Sequence, residues 1–166
     1  IELPKDANPQ SKRERVEECR FELSNVPNSA SLKQQIETLN TIRTTLPDVM
    51  WTGAGISRNA EELSRAIAQV EQWQRAIAHL PLTSAVHAMR PHQVAIVPAS
   101  DLHNGLKAWG ETRNLVTVAA LILRSALFRC ESRGGHFRED YPTVLSQWAG
   151  HTLISGNQER LSDLQD

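Results

Sequence analysis

The feature that most constrains this chain is an almost wholly apolar helical segment, 115–128, that runs straight into a dense polar turn. Leu115, Val116, Val118, Leu121, Ile122, Leu123, Leu127 and Phe128 cover more than one helical stripe, so this helix calls for burial on more than one side. The turn carries Glu131, Ser132, Arg133, His136, Arg138, Glu139 and Asp140 around Gly134 and Gly135, and closes at Tyr141 and Pro142. A helix buried on most sides needs neighbours, and a charge cluster at its exit needs partners. The combination reads as a docking element within a larger protein rather than a free-standing active site.

The neighbours are legible upstream. Ser31 and Gln34 form a capping-box pattern, and Leu32, Ile36, Leu39, Ile42 and Leu46 recur on one helical stripe. Pro47 either breaks or kinks that helix, or opens a new segment at its first turn, and Asp48 to Trp51 is expected to continue helically beyond it. A second helix starts at the cap Asn59 with Glu62 three residues on. Its apolar face is Leu63, Ala66, Ile67, Val70, Trp73, Ala76, Ile77 and Leu80, and Pro81 ends it. The third helix is expected to start between Asp101 and Glu111, where Gly105 and Gly110 leave its beginning open, and to run to about Ser132. Between them, 81–104 holds Pro81, Pro91 and Pro98 and reads as an irregular crossover. Gln93 to Val97 looks extended but has no evident partner strand.

These elements predict an all-α fold, an antiparallel three-helix bundle over 31–142. An irregular linker, 1–30, precedes it, with one short amphipathic turn or helix over 16–23. A tail of little periodicity, 143–166, follows. The apolar surplus of the third helix is assigned to core depth and to a contact face for a domain outside the chain.

Composition removes several function classes. The chain of 166 residues suits one domain, and 18 basic against 19 acidic residues give a net charge of −1. Such balance offers no basic surface for phosphates, so no nucleic-acid partner is expected. The run Lys12-Arg13-Glu14-Arg15 reads as a solvated face. Two cysteines, Cys19 and Cys130, are too few for a disulfide scaffold, and Cys130 reads as a free thiol beside the apolar helix. The apolar runs fall short of the roughly 20 residues a membrane span needs, and no signal peptide is evident, so no membrane partner is expected. The expectation is a soluble, cytoplasmic protein. The opening Ile1-Glu2-Leu3-Pro4 without Met suggests part of something longer.

Each chemical candidate has a plainer account beside it. Gly53-Ala54-Gly55-Ile56-Ser57-Arg58 lacks the third glycine and the flanking strands of a dinucleotide fingerprint, and reads as close packing or a kink. The six histidines and two cysteines show no metal spacing, and no serine sits in a nucleophile elbow. In the exit cluster, Arg133 as a carboxylate clamp and His136 as a proton-transfer group make one reading. The other places Arg133 near the end of the third helix, complementing its free carbonyls, with Gly134 or Gly135 as left-handed cap. Glu131, Arg138, Glu139 and Asp140 then form ion pairs that fix the loop or its docking surface. The structural reading is preferred, so no catalytic, cofactor-binding or metal residue is assigned to this chain.

The same stretch carries a family resemblance. Arg113-Asn114-Leu115-Val116, Ala119, Arg124-Ser125-Ala126, Glu131-Ser132-Arg133-Gly134-x-His136 and Asp140-Tyr141-Pro142 resemble the C-terminal helical region of the L-aspartate oxidases. The wider group is the flavoproteins related to succinate dehydrogenase and fumarate reductase. A second block, Met50-Trp51, Gly55-Ile56, Arg58, Leu63 and Ala66-Ile67, resembles the family's preceding helix. Together the blocks cover about half the chain, in the right order. The resemblance implies a spectrin-repeat-like bundle packed on FAD-binding and capping domains that hold the FAD, the substrate and the proton-transfer residues. It implies a parent enzyme that oxidises L-aspartate to iminoaspartate in NAD biosynthesis, upstream of quinolinate synthase. The fragment alone would be inactive. On this resemblance Arg113, Asn114, Arg124, Glu131, Ser132, Arg133, Gly134, His136, Asp140, Tyr141 and Pro142 are the motif and docking residues. The flavoprotein of a succinate dehydrogenase or fumarate reductase is the alternative parent, and an independent helical interaction module the alternative class.

Overall fold

Helical periodicity in the sequence becomes helical burial in the structure. The computed structural model describes residues 20–21, 27–88, 94–95 and 100–162. Helix α1 (Ser29–Ala54) buries Leu32, Gln35, Leu39, Ile42 and Leu46, spaced by three and four residues. Helix α2 (Ala60–Ala78) buries Leu63, Ala66, Val70 and Ile77. A short helix α3 (Pro81–His87) follows, and α4 (Ser100–Phe128) is the longest element. The three long helices pack on one another, and Val116, Ala119, Leu123 and Ala126 of α4 close one core with the buried faces of α1 and α2. The chain is therefore mostly helical.

Several local expectations are corrected. Helix α1 is capped by Asn28, whose Oδ1 accepts from the Ser31 N–H at 2.9 Å, three residues before the capping box anticipated at Ser31. Pro47 does not end α1: Asp48 to Trp51 is helical as expected, and the helix continues to Ala54. Pro47 lies on the exposed side, where water can satisfy the carbonyl its missing N–H leaves free. Pro81 begins a helix rather than only ending one, because it occupies the first helical turn, where no N–H is required. Helix α4 starts at Ser100, before the expected window, and stops at Phe128 rather than near Ser132. Gly105 does not interrupt α4: a Cβ there would come within 2.7 Å of Leu32 Cδ1, so the missing side chain lets α4 close on α1.

Polar groups tie α3 into this core. Gln35 Oε1 accepts from the Leu82 N–H at 3.0 Å, and Trp109 Nε1 donates to Thr83 Oγ1 at 2.7 Å. Thr83 in turn donates to the Ile77 carbonyl at 2.5 Å. The crossover is thus partly helical and locked to all three long helices.

Short strands complete the fold. Strand β1 (Arg20–Phe21) pairs in parallel with β3 (Val94–Ala95). The Gln93–Val97 stretch therefore has a partner, and the helix or turn expected over 16–23 is extended at its two described residues. Other features expected in 1–26, Cys19 among them, lie outside the described residues. Strand β2 (Ser57–Arg58) pairs in parallel with β4 (Phe137–Arg138). Beyond Pro142, where periodicity was weak, a 3-10 turn (Ser146–Trp148) and an antiparallel hairpin of β5 (Thr152–Ser155) and β6 (Gln158–Leu161) are formed. The hairpin packs on α4. No described helix is long and apolar enough to cross a membrane.

Candidate docking site at the exit of the last helix

Where α4 ends, its last carbonyls need donors. Arg138 supplies them: Nη1 donates to the carbonyls of Ala126 at 2.8 Å, Leu127 at 3.1 Å and Arg129 at 3.3 Å. The β2–β4 pairing places Arg138 there, and its side chain is only 1% exposed. The remaining guanidinium edge is bidentate to Asp140, at 2.7 Å to each oxygen. Asp140 Oδ2 also accepts from the Ala60 N–H at 3.0 Å, at the first turn of α2. Two residues therefore join the negative end of one helix to the positive end of another. Arg138 lowers the Asp140 pKa, partly offset by desolvation, and Asp140 raises that of Arg138. The Arg138 guanidinium also stacks 5.0 Å over the Tyr141 ring.

Glu131 is the second hub. It is fully buried and accepts from Arg133 Nε at 2.8 Å, Arg133 Nη2 at 3.1 Å, the Leu145 N–H at 2.9 Å and Arg129 Nη1. The Arg133 hydrogen bonds, outweighing desolvation and joined by Leu145 and Arg129, lower its pKa to about 2. Arg129 continues to the carbonyls of Trp148, at 2.9 Å, and Gly150. Phe128 meets Trp148 edge-on at 5.2 Å. This hub fastens the segment after Pro142 to the end of α4. Ser132 binds the loop internally, donating to the Tyr141 carbonyl at 2.8 Å and accepting from the Arg138 N–H at 2.9 Å. Among the described residues every buried side-chain nitrogen and oxygen has a partner, as a buried polar network requires.

Three placements differ from expectation. Glu139 makes no ion pair among the described residues; its Oε1 accepts from Ser57 Oγ at 2.5 Å. Arg133 does not complement the helix carbonyls; Arg138 does, because α4 stops earlier and Arg133 is drawn to Glu131. Gly134, with φ +57°, is not a helix cap. It opens a two-residue turn whose flanking residues exchange hydrogen bonds, Arg133 N–H to the His136 carbonyl at 2.8 Å and the reverse at 3.0 Å.

His136 faces the first strand of the pair. Arg58 Nη1 lies 3.0 Å from its Nδ1, and its Nε2 is 3.3 Å from the Arg129 carbonyl. A guanidinium only donates and a carbonyl only accepts, so His136 is neutral with its proton on Nε2. Desolvation lowers its pKa; the Arg129 carbonyl opposes this, and the charges of Arg58, Arg138 and Arg129 lower it further.

The other motif residues are spread along α4. Arg113 lies over the Trp109 ring at 5.5 Å, and Asn114 is exposed beside it. Arg124 pairs with Glu159 of β6, Nε to Oε1 at 2.6 Å, and donates to the Gly156 carbonyl at 3.1 Å. Pro142 is exposed. The sequence reading missed Arg129 as a ligand of Glu131, and gave Arg58 a place in the upstream family block but no contact with the exit loop. The signal for Arg129 was its place two residues before Glu131, on the other side from Arg133.

The Gly53–Gly55 pair offers no cradle for a flavin's phosphates. A Cβ on Gly53 would collide with Ala66 Cβ of α2, and one on Gly55 with the Trp51 carbonyl of α1 itself, so neither glycine leaves open space. Among the described residues no cluster of His, Cys, Asp or Glu could hold a metal. What the geometry defines is a helical unit whose exit-loop charges fix that loop against two helix ends. Its particular place follows from the comparisons. The chain belongs to the fumarate reductase flavoprotein C-terminal family, whose model matches residues 43–165. That range contains both blocks on which the resemblance rested, and the β2–β4 pairing shows why they belong together.

The chain is similar to the L-aspartate oxidase of Nostoc sp. (strain PCC 7120), at 44% identity over 126 residues, 76% of this chain and 22% of the relative. It is 42% identical over 127 residues to the L-aspartate oxidase of Synechocystis sp. (strain PCC 6803), again 76% of this chain and 23% of the relative. With a fumarate reductase (CoM/CoB) polypeptide of Methanothermobacter marburgensis the identity is 27% over 118 residues, 71% of this chain and 19% of that one. The chain thus spans about a fifth of the length of the curated relatives it matches. No solved structure matches it.

Proposed function

We propose that this chain is the C-terminal accessory domain of an FAD-dependent L-aspartate oxidase, which converts L-aspartate to iminoaspartate. The observation that carries the reading is the 44% and 42% identity with proteins of that name, against 27% with the fumarate reductase polypeptide. The exit-loop residues Glu131, Arg133, Arg138 and Asp140 are consumed in mutual ion pairs, which supports a structural rather than catalytic role for them. FAD and substrate are then held by the FAD-binding and capping domains of the same polypeptide, and this unit supplies stability and a docking surface. The unit runs from the start of α1 at Ser29 through the bundle, with the residues before it as linker and 143–166 as a C-terminal segment whose hairpin packs on α4. On this reading the enzyme is cytoplasmic and feeds quinolinate synthase in NAD biosynthesis.

The test uses the full-length polypeptide supplied with FAD. Hydrogen peroxide formed with L-aspartate and absent with succinate is the expected result. Succinate oxidation with an artificial acceptor, and none of aspartate, would move the parent to the dehydrogenase branch.

A further inference from the structure

The buried stripe of α4 accounts for only half of its apolar side chains. Leu115, Val118, Leu121 and Ile122 remain 47%, 53%, 42% and 47% exposed. Their spacing places them on one face of the helix, turned away from the core stripe Val116, Ala119 and Leu123. Val118, Leu121 and Ile122 line an open groove of about 420 Å³ whose polar end is Arg58, Arg129 and His136. The charged groups of that lining are all cationic. Arg129 is ion-paired with Glu131, which it shares with Arg133. Arg58 is not: Nε donates to the Ala54 carbonyl, Nη1 to the Gly135 carbonyl and His136 Nδ1. No carboxylate lies within ion-pair distance of it among the described residues. His136 is the neutral acceptor that aims it.

We propose that this groove is the seat of a segment from the flavin-bearing part of the same polypeptide, which lays apolar side chains on Val118, Leu121 and Ile122 and a carboxylate against Arg58. The proposal rests on the reading of the chain as part of a larger flavoprotein, and names the surface and chemistry of the contact. Length and charge argue for this occupant. About four-fifths of each such relative lies outside the matched region, so a covalently attached partner is at hand. A tethered partner meets its site at an effective concentration of about millimolar. A stripe of four half-exposed side chains then suffices, though it is small against the roughly 1,200–2,000 Å² buried by stable association of separate molecules. A second copy of this chain would bring Arg58 against the same cationic groove rather than supply the missing carboxylate.

The test places reporter thiols on the full-length protein. Val118→Cys sits in the groove, and Gln72→Cys sits on the exposed face of α2. Maleimide labelling is followed by peptide-resolved mass spectrometry. Val118→Cys is expected to label at least about tenfold more slowly than Gln72→Cys, the factor that ~1.4 kcal/mol of contact confers. Because the Arg58 contact is ionic, labelling of Val118→Cys should quicken with added NaCl. Adding Arg58→Gln should remove that salt dependence, and Arg58→Lys should keep it. Equal labelling at the two positions overturns the proposal, as does protection that disappears on dilution while the protein becomes monomeric. Salt-independent protection unaffected by Arg58→Gln overturns the carboxylate contact. A protected groove in a protein that does not oxidise L-aspartate would sink only the oxidase reading. An active oxidase with an unprotected groove would sink only this one.

Discussion

Glu131→Gln offers the sharpest test of the exit-loop argument, because the substitution keeps shape and removes charge. In the native protein the fully buried carboxylate holds Arg133 bidentately, Arg129 and the Leu145 N–H. Its pKa falls from 4.5 to about 2, a displacement worth ~3 kcal/mol of stability at neutral pH. Independently, removing one partner of a buried ion pair costs about 3–5 kcal/mol, and Arg129, 14% exposed, would be left without its carboxylate. The expected loss is therefore about 3 kcal/mol by urea unfolding at pH 7, followed by circular dichroism. The pH dependence has a definite sign. A carboxylate whose folded pKa is depressed stabilises fully above its unfolded value and loses that contribution as pH falls. Native stability should thus decline from pH 4.5 towards about 2, and the variant should lack that part of the decline. A loss below about 1 kcal/mol, or an unchanged acid slope, would refute the claim that Glu131 anchors the loop.

Asp140→Asn should cost about 3 kcal/mol, because Arg138 is buried and loses its bidentate partner while the cap on α2 can be kept by the amide oxygen; urea unfolding checks it. Gly53→Ala should destabilise by about 1–3 kcal/mol through overpacking, since the new Cβ would meet Ala66 Cβ at 2.4 Å, and a lowered thermal midpoint would show this. His136 is favoured neutral in the fold, so native stability should fall as pH drops below its ordinary 6.5, where the unfolded chain takes up the proton first. His136→Gln should flatten the decline in stability below pH 6.5; an identical profile would contradict the assigned tautomer and contacts.

The helices were legible because burial repeats every three or four residues. Leu32, Leu39, Ile42, Leu63, Val70 and Leu123 were readable as core from spacing alone. Boundaries were less so. Asn28 and Ser31 are both good caps in sequence, and residue type alone does not choose between them; the structure uses Asn28. Pro47 looked like a breaker because proline removes a helical N–H and crowds the preceding turn, a cost α1 tolerates on its exposed side. The two-residue strands were invisible for another reason: Ser57–Arg58 and Phe137–Arg138 have no alternation to read, and their pairing partners lie 80 residues apart. At the site, the charged residues were identified as an ion-pair cluster, but their partners were exchanged. Arg133 and Arg138 are both within reach of a helix end in sequence. The early stop of α4 at Phe128 gives the carbonyls to Arg138 and leaves Arg133 to Glu131.

That exchange bears on what the unit can do. With Arg138 on the carbonyls and Asp140 on the α2 N-terminus, the loop is fixed at both helix ends at once, and Glu131 fastens the C-terminal segment to the same point. Loops that carry binding function are usually the least stable parts of a fold; this one is among the most constrained. A rigid loop costs little ordering entropy when a partner arrives. Arg58 is held by three acceptors at the edge of that loop, so its free charge is presented at a fixed position beside the exposed face of α4. The buried ion pairs therefore need not touch a partner to matter for docking. Glu131→Gln should increase labelling at Val118→Cys in the full-length protein even though the two side chains line different sites. If docking is insensitive to loosening of the loop, the rigidity argument fails while the surface itself stands.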